Sequence, residues 1–457
     1  MKKLEPAPSI TLINFSRSAI KLLISEEVMP LINKINEEYY YWDKVKYQPL
    51  PEGLTHAELW SLVSIRRRNT PYNISFGKYK FHWNLNSRLS GLLHFLDMNI
   101  GGSLESSSII NKEDKNRYLL SSIMEEAIAS SQIEGAVTTR KHAKEMLRKN
   151  IKPRTKSEQM IYNNYITIQK ILSIKSEPLT LENLLHVHKL VTTNTLSSDK
   201  EEGFIRDDDE IKVIDTIDGT VVHNPPPVKE LKKLLNDLFR FFNEDDPKLF
   251  IHPVTKACIV HFMIGFIHPF IDGNGRTARA LFYWYLLKKE YWLIEYLSIS
   301  RLILKSKASY AMAFLYTETD DNDLTYFISY NLRTMKLAFE ELREYIKRKN
   351  EQKKQLTDFL GIDGITYRQA LILEWYREEA DLLLTVNEAE KRLGVSYMTA
   401  RTDLNELTTK GYLQARDMNK KSKGYVRGKG FETLLSRPKR KRKFGVDSEK
   451  NSPTLFD

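Results

Sequence analysis

One short segment near the middle of the chain, residues 268–279, constrains the fold more than any other. It reads His-Pro-Phe-Ile-Asp-Gly-Asn-Gly-Arg-Thr-Ala-Arg. Gly273 and Gly275 let the backbone bend so that several N–H groups point into one concavity. The helix expected to follow adds the positive end of its dipole, which favours an anion such as phosphate. The segment therefore predicts a tight loop that enters a helix and binds phosphate.

The side chains of this segment predict the chemistry that accompanies the phosphate. His268 is a candidate general base, because imidazole exchanges a proton near neutral pH. Asp272 is a candidate ligand for Mg²⁺, which often takes one protein carboxylate and completes its shell with phosphate oxygens and water. Arg276 and Arg279 are three residues apart and so share one helix face, from which both can bind polyphosphate oxygens.

A competing pattern overlaps the same loop. Gly273, Gly275 and Ala278 also satisfy the weak dinucleotide-binding pattern, and the apolar run before residue 268 could form a buried strand. That pattern requires a repeated strand-helix-strand unit, whereas the surrounding residues predict long helices. The helical interpretation is therefore favoured.

A zinc site is a second alternative at this place. The spacing of Cys258, His261 and His268 fits no common four-ligand zinc site, and the chain contains a single cysteine. We expect His261 instead to be hydrogen-bonded inside a helical core. One cysteine excludes an internal disulfide and fits a reducing cytosol. Without a secretion signal or an apolar run of about 18 residues, we expect a cytoplasmic protein with no membrane partner.

The segment matches, without departure, the pattern His-Pro-Phe-x-Asp/Glu-Gly-Asn-Gly-Arg-x-x-Arg, so the chain resembles the Fic (filamentation-induced-by-cAMP) family. The resemblance implies an adenylyltransferase that moves AMP from ATP to a Ser, Thr or Tyr hydroxyl of a protein, with Mg²⁺ as cofactor. The target could be the chain itself, and a homodimer is one assembly to consider. By the same resemblance His268 is the catalytic base, Asp272 binds the metal, and the contacts to ATP come from Gly273, Asn274, Gly275, Arg276, Arg279 and Tyr310. The family more often has two adjacent tyrosines where this chain has Ser309 and Tyr310.

An upstream segment, Ser130-Ser-Gln-Ile-Glu-Gly135, matches the inhibitory motif that some Fic proteins carry ahead of the core. Glu134 is expected at a helix C-terminus with Gly135 as the left-handed cap, where the helix dipole disfavours a carboxylate by about 0.3 to 1 kcal/mol. Such a carboxylate needs a neighbouring cation. The resemblance implies that this cation is Arg279, and that Ser130 and Glu134 keep the γ-phosphate out of its place.

Alternating apolar residues within 203–215 and 219–227, around a glycine-containing turn, predict a short hairpin. It resembles the Fic flap, which aligns a target segment by main-chain pairing. Ile211, Val213 and His223 are the candidate flap residues. The acidic run 207–210 could select basic targets, although a solvated turn is the favoured interpretation.

The last hundred residues predict a separate module that could bind DNA. Helices over 367–378, 387–393 and 396–410 give a helix-turn-helix layout, and the following residues resemble a two-stranded wing. Residues 391–443 contain 16 Lys/Arg against 4 Asp/Glu, which accounts for the whole net charge of +11 and favours a nucleic-acid partner. The stretch 438–443 alone fits a solvated tail equally well, and a module of this layout can also bind proteins or dimerise. The candidate contacts to base edges are Tyr397, Thr399, Arg401, Thr402 and Asn405.

The predicted fold is mainly α: a Fic-type helical bundle with a short β-hairpin flap, followed by a C-terminal winged helix-turn-helix domain. We expect a mixed helical N-terminal extension at 1–103, the Fic core at 104–347, the winged-helix-like domain at 360–436 and a basic, disordered tail at 437–457. Two other functions stay open: removal of AMP from a modified protein by the same site, and a transcriptional regulator whose core senses nucleotide. The transferred group could also be UMP or phosphocholine.

Overall fold

The computed structural model describes residues 4–8, 28–69, 71–101, 115–215, 219–360, 362–419 and 422–435. The chain divides into two compact units, Met1–Arg343 and Glu344–Asp457. The prediction of a mainly helical protein is confirmed. The predicted boundary near residue 103 and the predicted tail at 437–457 lie outside the described residues.

The first unit is a helical assembly. Its helices are α1 Val28–Glu38, α2 Trp42–Val45, α3 His56–Arg68, α4 Ser87–Ile100, α5 Lys115–Ile133, α6 Arg140–Arg148, α7 Lys156–Ile174, α8 Leu181–Thr192, α9 Val228–Asn243, α10 Pro253–Ile267, α11 Asn274–Lys288, α12 Ile299–Lys305 and α13 Lys307–Thr319. Helix α14, Thr325–Leu360, begins in this unit and continues beyond Arg343. Short 3₁₀ turns lie at Asp199–Glu201 and Trp292–Tyr296. Within the described part of the chain, no helix is long and apolar enough to cross a membrane.

Two central helices, α10 and α11, carry the loop of interest between them. Helix α10 is mostly apolar and is buried on every side, with Cys258, Phe262 and Ile264 each 0% exposed. Such a helix is stable only when neighbours surround it. Helix α11 packs directly on α10, with Leu281 and Trp284 also fully buried. The loop is therefore fixed at both ends to the interior of the unit.

Two antiparallel hairpins decorate this unit. Strands β1 (Tyr72–Phe76) and β2 (Tyr79–Trp83) pair over their full length. The sequence was expected to be mixed helical here, and this hairpin was not predicted. Strands β3 (Val213–Ile214) and β4 (Val221–His223) form the second hairpin, at the predicted flap, with a register shift between Val213 and Ile214. Residues 216–218 at its turn lie outside the described residues.

The second unit has the layout of a winged helix. It contains α15 (Tyr367–Glu378), α16 (Val386–Leu393), α17 (Tyr397–Thr409) and α18 (Lys429–Leu435), with a three-stranded antiparallel sheet in the order β5 (Leu384–Thr385), β7 (Ser422–Arg427), β6 (Leu413–Asn419). Gly394, with φ of 66°, ends α16, and Ser396 caps α17 by accepting a hydrogen bond from the Thr399 N–H. The C-terminal fold prediction is confirmed.

Candidate active site

The loop of residues 268–273 turns sharply because both of its ends adopt left-handed backbone conformations. His268, with φ of 47°, closes α10 by donating its N–H to the carbonyl of Ile264 at 3.0 Å. Gly273, with φ of 84°, is the N-cap of α11. A Cβ atom on Gly273 would lie 2.7 Å from Cγ2 of Thr192, so only glycine fits here. The bend predicted from the two glycines is present.

The protein itself already binds most carbonyl groups of this loop. Arg206 donates its backbone N–H to the carbonyl of Pro269 and its Nε to that of His268, both at 2.9 Å. Asn274 binds both backbone groups of Phe270, accepting from the N–H at 3.0 Å and donating to the carbonyl at 2.7 Å. These bonds occupy carbonyl oxygens of the loop. The groups that remain for a ligand are N–H donors, which bind an acceptor.

Those donors lie in the first turn of α11. Thr277 is the first residue whose N–H bonds within the helix, to the carbonyl of Gly273 at 2.9 Å. The N–H groups of Asn274, Gly275 and Arg276 precede it and therefore have no intrahelical acceptor. Three such donors at the positive end of a buried helix form an anion site.

His268 is held as a neutral imidazole with one nitrogen available. Its Nδ1 lies 3.1 Å from the carbonyl of Gly265 and so carries the proton, because a carbonyl can only accept. Nε2 is then the unprotonated atom. Burial lowers the pKa of His268 to about 4, which keeps the ring unprotonated at neutral pH. A ring in this state can take a proton from a hydroxyl group.

Three buried histidines predict an acid-sensitive fold. Burial lowers the pKa of His188 and of His268 to about 4, and that of His261 to about 3, from an ordinary value of 6.5. Between pH 6.5 and pH 4 the unfolded chain therefore binds protons that the folded chain does not, so stability rises with pH across this window. We expect urea denaturation to show a lower free energy of unfolding at pH 5 than at pH 7, by about 2 kcal/mol per histidine. An unchanged value would contradict this placement of the three rings.

The two arginines of the motif differ in what they bind. Arg276 is 2% exposed and donates Nη1 to the carbonyl of Val191 at 2.9 Å. Arg279 donates Nε and Nη2 to the hydroxyl and carbonyl oxygens of Ser130, both at 2.9 Å. Among the described residues, Nε of Arg276 and Nη1 of Arg279 are buried and have no partner. An incoming anion would supply the missing acceptor, since buried guanidinium donors are rarely left unsatisfied.

The expected ion pair between Glu134 and Arg279 is present. Oε1 of Glu134 accepts from Nη2 of Arg279 at 2.8 Å. Although burial alone would lower the pKa of Arg279, the Glu134 charge raises it above its ordinary value. A Cβ atom on Gly275 would overlap the Glu134 carboxylate, so this carboxylate lies directly against the first turn of α11. The anion site is therefore adjacent to an acid of the chain itself.

Helix α5, which precedes Glu134, is held at several points. Lys307 donates Nζ to the carbonyls of Gln132 and Ile133 at 2.9 and 3.1 Å, a favourable place for a cation at a helix C-terminus. Two turns earlier, Glu126 accepts from the N–H of Ser300 at 2.9 Å and also binds its hydroxyl. These contacts fix Glu134 where Arg279 can bind it.

Asp272 fits a magnesium ion as its one carboxylate ligand. Its side chain is 54% exposed, and Oδ1 accepts from the N–H of Gly273 and lies 3.6 Å from Nη2 of Arg276. Oδ2 has no hydrogen bond to the described residues and could ligate a cation. Among those residues no cluster of three or more His, Cys, Asp or Glu could hold a metal. A single carboxylate completed by phosphate and water is the usual arrangement for Mg²⁺.

Two predicted ATP contacts have side chains that bind other residues of the chain. Both polar atoms of the Asn274 side chain bind Phe270, so its backbone N–H is the group that a phosphate could reach. The Tyr310 hydroxyl lies 2.8 Å from Nε2 of His261. That bond also agrees with the expected hydrogen-bonded His261 and not with a zinc site, although its Nδ1 has no partner among the described residues.

The flap residues divide between the surface and the interior. Ile211 precedes β3, and Val213 pairs with His223 across the hairpin. His223 points inward, with Nε2 2.8 Å from the carbonyl of Phe266 and Nδ1 2.6 Å from a carboxylate oxygen of Glu318. His223 thus lies in the flap strand β4, as the sequence predicts, and its side chain binds the end of α10.

The outward face of the flap and the acidic run also differ in what they offer. Ile214 and Val221 are 54% and 47% exposed and form the apolar outer face. In the acidic run, Asp209 accepts from the N–H of Val228 at 2.7 Å, at the start of α9. That part of the run has a capping role, which agrees with the solvated turn that the sequence favoured.

The candidate DNA contacts lie along α17 in the second unit. Ala400, Leu404 and Leu407 are buried on its inner face, while Tyr397, Arg401, Thr402 and Asn405 are exposed and Thr399 is half-buried. Thr399 is bonded to Ser396, Thr402 to the carbonyl of Met398, and Asn405 to the hydroxyl of Tyr425, each at 2.9 Å. Tyr397 and Arg401 have no such bond within the described residues and are the better placed of the five to reach a base.

Comparison with known proteins relates both units to defined families. Residues 178–286 match the Fic/DOC family, and residues 368–416 match the DeoR-like helix-turn-helix domain. The chain is 33% identical over 124 residues to the protein adenylyltransferase Fic of Nematostella vectensis, covering 27% of this chain and 25% of that protein. It is 39% identical over 69 residues to the protein of the same name in Drosophila yakuba, covering 15% and 14%. The matches thus span a quarter or less of these relatives.

A solved structure extends the likeness over more of the chain. The crystal structure of a Fic family protein from Desulfovibrio desulfuricans G20 superposes with a TM-score of 0.50 at 20% identity, covering 76% of this chain and 98% of that one. This likeness shows that the fold is shared. The fold prediction made from the motif is thereby confirmed.

Proposed function

We propose that this chain is a nucleotidyltransferase that moves AMP from ATP to a Ser, Thr or Tyr hydroxyl of a protein. The proposal starts from the Fic/DOC family domain that the chain carries. The relatives named protein adenylyltransferase support this class of reaction. The observation that carries the proposal is the start of α11, which has three N–H donors and an Nη1 of Arg279 without a partner among the described residues, and which directly follows the loop that carries the neutral imidazole of His268. A polyphosphate and a nucleophile are the ligands that this set of groups suits.

In the proposed step the target hydroxyl oxygen forms a bond to the α-phosphorus of ATP, and the bond from that phosphorus to the bridging oxygen of the β-phosphate breaks. Nε2 of His268 takes the hydroxyl proton, and pyrophosphate leaves in line. The first-turn amides of α11 and the two arginines stabilise the negative charge on the phosphates. Mg²⁺, bound through Asp272, would neutralise part of that charge and orient the phosphates.

We also propose that Glu134 keeps this site inactive at rest. Its carboxylate lies against the first turn of α11 and engages Arg279, so an incoming γ-phosphate would meet a negative charge and lose one of its arginine partners. ATP could then bind only in an unproductive position. The bonds from Lys307 to the last carbonyls of α5 support this placement.

A labelling experiment tests the proposed reaction and its direction. The Glu134→Gly protein is incubated with a cell lysate and ATP carrying radioactive phosphorus at either the α or the γ position. We expect protein-bound label from the α position alone, since pyrophosphate leaves. Label from the γ position would indicate phosphoryl transfer instead. Release of AMP from a previously labelled protein, without net labelling, would favour the reverse reaction, and label from UTP alone would change the transferred group.

The second unit favours DNA binding as an additional function. Its match to the DeoR-like helix-turn-helix domain and the exposed Tyr397 and Arg401 on α17 support this proposal. A basic module of this layout places such a helix in the major groove. The two functions can coexist in one chain.

Substitution of Arg401 tests the DNA-binding proposal. We expect the parent protein to bind its target duplex in a salt-dependent way, because phosphate contacts release counterions. Arg401→Ala should weaken specific binding by about 1–3 kcal/mol, since a guanidinium can bind guanine with two bonds. Fluorescence anisotropy measures the dissociation constants of the parent and of the Arg401→Ala protein. His268→Ala serves as the control that leaves DNA affinity unchanged. Equal affinity of the parent and the Arg401 variant would contradict this role.

A further inference from the structure

His188 lies on α8 and contacts the loop of residues 268–273, but it belongs to none of the motifs found in the sequence. Its side chain is 0% exposed. Its Nδ1 accepts from the N–H of Gly203 at 3.0 Å, and because that nitrogen is then unprotonated, Nε2 carries the proton. Nε2 lies 2.8 Å from the carbonyl oxygen of Asp272 and donates to it. One tautomer thus satisfies both bonds.

The ring also stacks on the loop itself. The centroids of His188 and Phe270 are 3.7 Å apart and the rings are nearly parallel, at 5°. Because Nδ1 accepts a hydrogen bond and Nε2 donates one, the geometry identifies the ring as a neutral imidazole. The contact between His188 and the loop is therefore rigid, because the ring cannot turn without losing two hydrogen bonds and its stacking on Phe270.

The bond to Asp272 matters because the next residue is a glycine. The peptide group between Asp272 and Gly273 could rotate so that its carbonyl pointed to the opposite side, since Gly273 has no Cβ to oppose the change. In that orientation the carbonyl oxygen would take the place of the Gly273 N–H, which now donates to Oδ1 of Asp272, and would repel negative charge beside the first turn of α11. A larger residue cannot replace Gly273 to oppose this rotation, because its Cβ atom would lie 3.2 Å from Nε2 of His188.

We propose that His188 is a positioning residue for the transfer reaction: its Nε2–H fixes the orientation of the Asp272–Gly273 peptide and so keeps the phosphate site at the start of α11 open. This inference rests on the proposed function. His188 touches neither the nucleotide nor the reacting atoms and acts through the loop. The same bond orients the backbone from which the Asp272 carboxylate projects, so both phosphate and Mg²⁺ binding depend on it.

Two substitutions separate the donor from the rest of the ring. The side-chain nitrogen of Gln reaches about as far as Nε2 and can donate to Asp272, whereas the side-chain oxygen of Asn reaches about as far as Nδ1 and can bind only Gly203. Both remove the stack on Phe270, so their effects on stability should be similar. His186, which is exposed on the same helix, provides the control His186→Asn.

The variants are made in the Glu134→Gly protein, and Mg²⁺-ATP binding is measured by calorimetry together with thermal unfolding. We expect His188→Asn to weaken ATP binding at least tenfold and to raise the Mg²⁺ concentration needed for half-maximal binding, while His188→Gln and His186→Asn stay within threefold. Unfolding temperatures of the Asn and Gln variants should agree. Equal weakening by Asn and Gln, or no weakening by either, would overturn the proposal.

Hydrogen exchange of residues 270–276 in the nucleotide-free proteins tests the same inference without ATP. We expect faster exchange in His188→Asn than in His188→Gln, because only the Asn variant releases the Asp272 carbonyl. Equal exchange in the two would also overturn it. If the Glu134→Gly protein binds no ATP at all, the proposed function fails, and the exchange comparison still decides the role of His188.

Discussion

The Glu134→Gly protein is expected to label target protein at least tenfold faster than the parent at equal ATP. The substitution removes the carboxylate from the anion site and frees Nη2 of Arg279 for a phosphate oxygen. A tenfold change in affinity corresponds to about 1.4 kcal/mol, which is within the range of one charge-assisted hydrogen bond. Transfer from α-labelled ATP, followed over time by gel autoradiography, measures the rate.

The Glu134→Gly protein should be less stable than the parent, although it labels target protein faster. Without Glu134 the buried guanidinium of Arg279 keeps only its bonds to Ser130, so we expect a loss of about 1–3 kcal/mol in the free energy of unfolding. Mg²⁺-ATP should restore it, because phosphate replaces the missing acceptor. If Mg²⁺-ATP left the free energy of unfolding of this variant unchanged, that result would contradict the proposal that Glu134 and a phosphate bind at the same place.

Two further variants locate the effect at the carboxylate. Gln132→Gly places the same helix-weakening residue two positions earlier and keeps the ion pair, so it should label at the parent rate. Lys307→Met removes the cation that binds the last carbonyls of α5 and should raise labelling only about two- to fivefold, in line with a contribution of about 0.3–1 kcal/mol. Equal labelling by the parent and the Glu134→Gly protein would exclude autoinhibition.

Substitution of His268 should abolish transfer and leave nucleotide binding intact. In the Glu134→Gly protein we expect His268→Ala to lower the labelling rate by about 10²–10⁴, the usual contribution of a general base. ATP affinity should stay within threefold, because the imidazole faces the hydroxyl and not the phosphates. Single-turnover labelling and calorimetry measure the two quantities separately.

The backbone at residue 268 requires its own control. Its φ of 47° lies in the left-handed region, which costs an alanine more than an asparagine. His268→Asn therefore removes the base with less strain and should lose activity to the same extent, while His186→Ala, on the surface of α8, should lose none. Retained labelling by His268→Asn would show that the loss in the Ala variant came from the loop conformation.

The helices of the core could be predicted from sequence because their signals are local. Pro227 precedes α9 (Val228–Asn243) and Pro253 opens α10 (Pro253–Ile267), and proline is favoured at the first turn of a helix. The β1–β2 hairpin was missed although a signal existed. Gly77 and Lys78 form a two-residue turn between alternating strands, and Gly77 has the positive φ of 57° that such turns need.

The candidate site was predictable only where its chemistry is contiguous. Residues 268–279 carry base, carboxylate and arginines in one segment, and a second motif supplied Glu134. His188 and Arg206 reach the loop from distant segments, and each binds backbone carbonyls. A sequence pattern of side chains does not show which carbonyls need donors. For the same reason the sequence does not show that the Asn274 side chain braces Phe270, which leaves its backbone N–H as the group for a phosphate.

Calorimetric titration of the Glu134→Gly protein with ATP in the presence of Mg²⁺ tests the central claim most directly. The arrangement of α11, Arg276, Arg279 and His268 predicts saturable binding of one ATP per chain, which an Arg279→Ala substitution weakens by tenfold or more and His268→Ala does not. Absence of detectable binding in the Glu134→Gly protein would contradict the assignment of this loop as a nucleotide site.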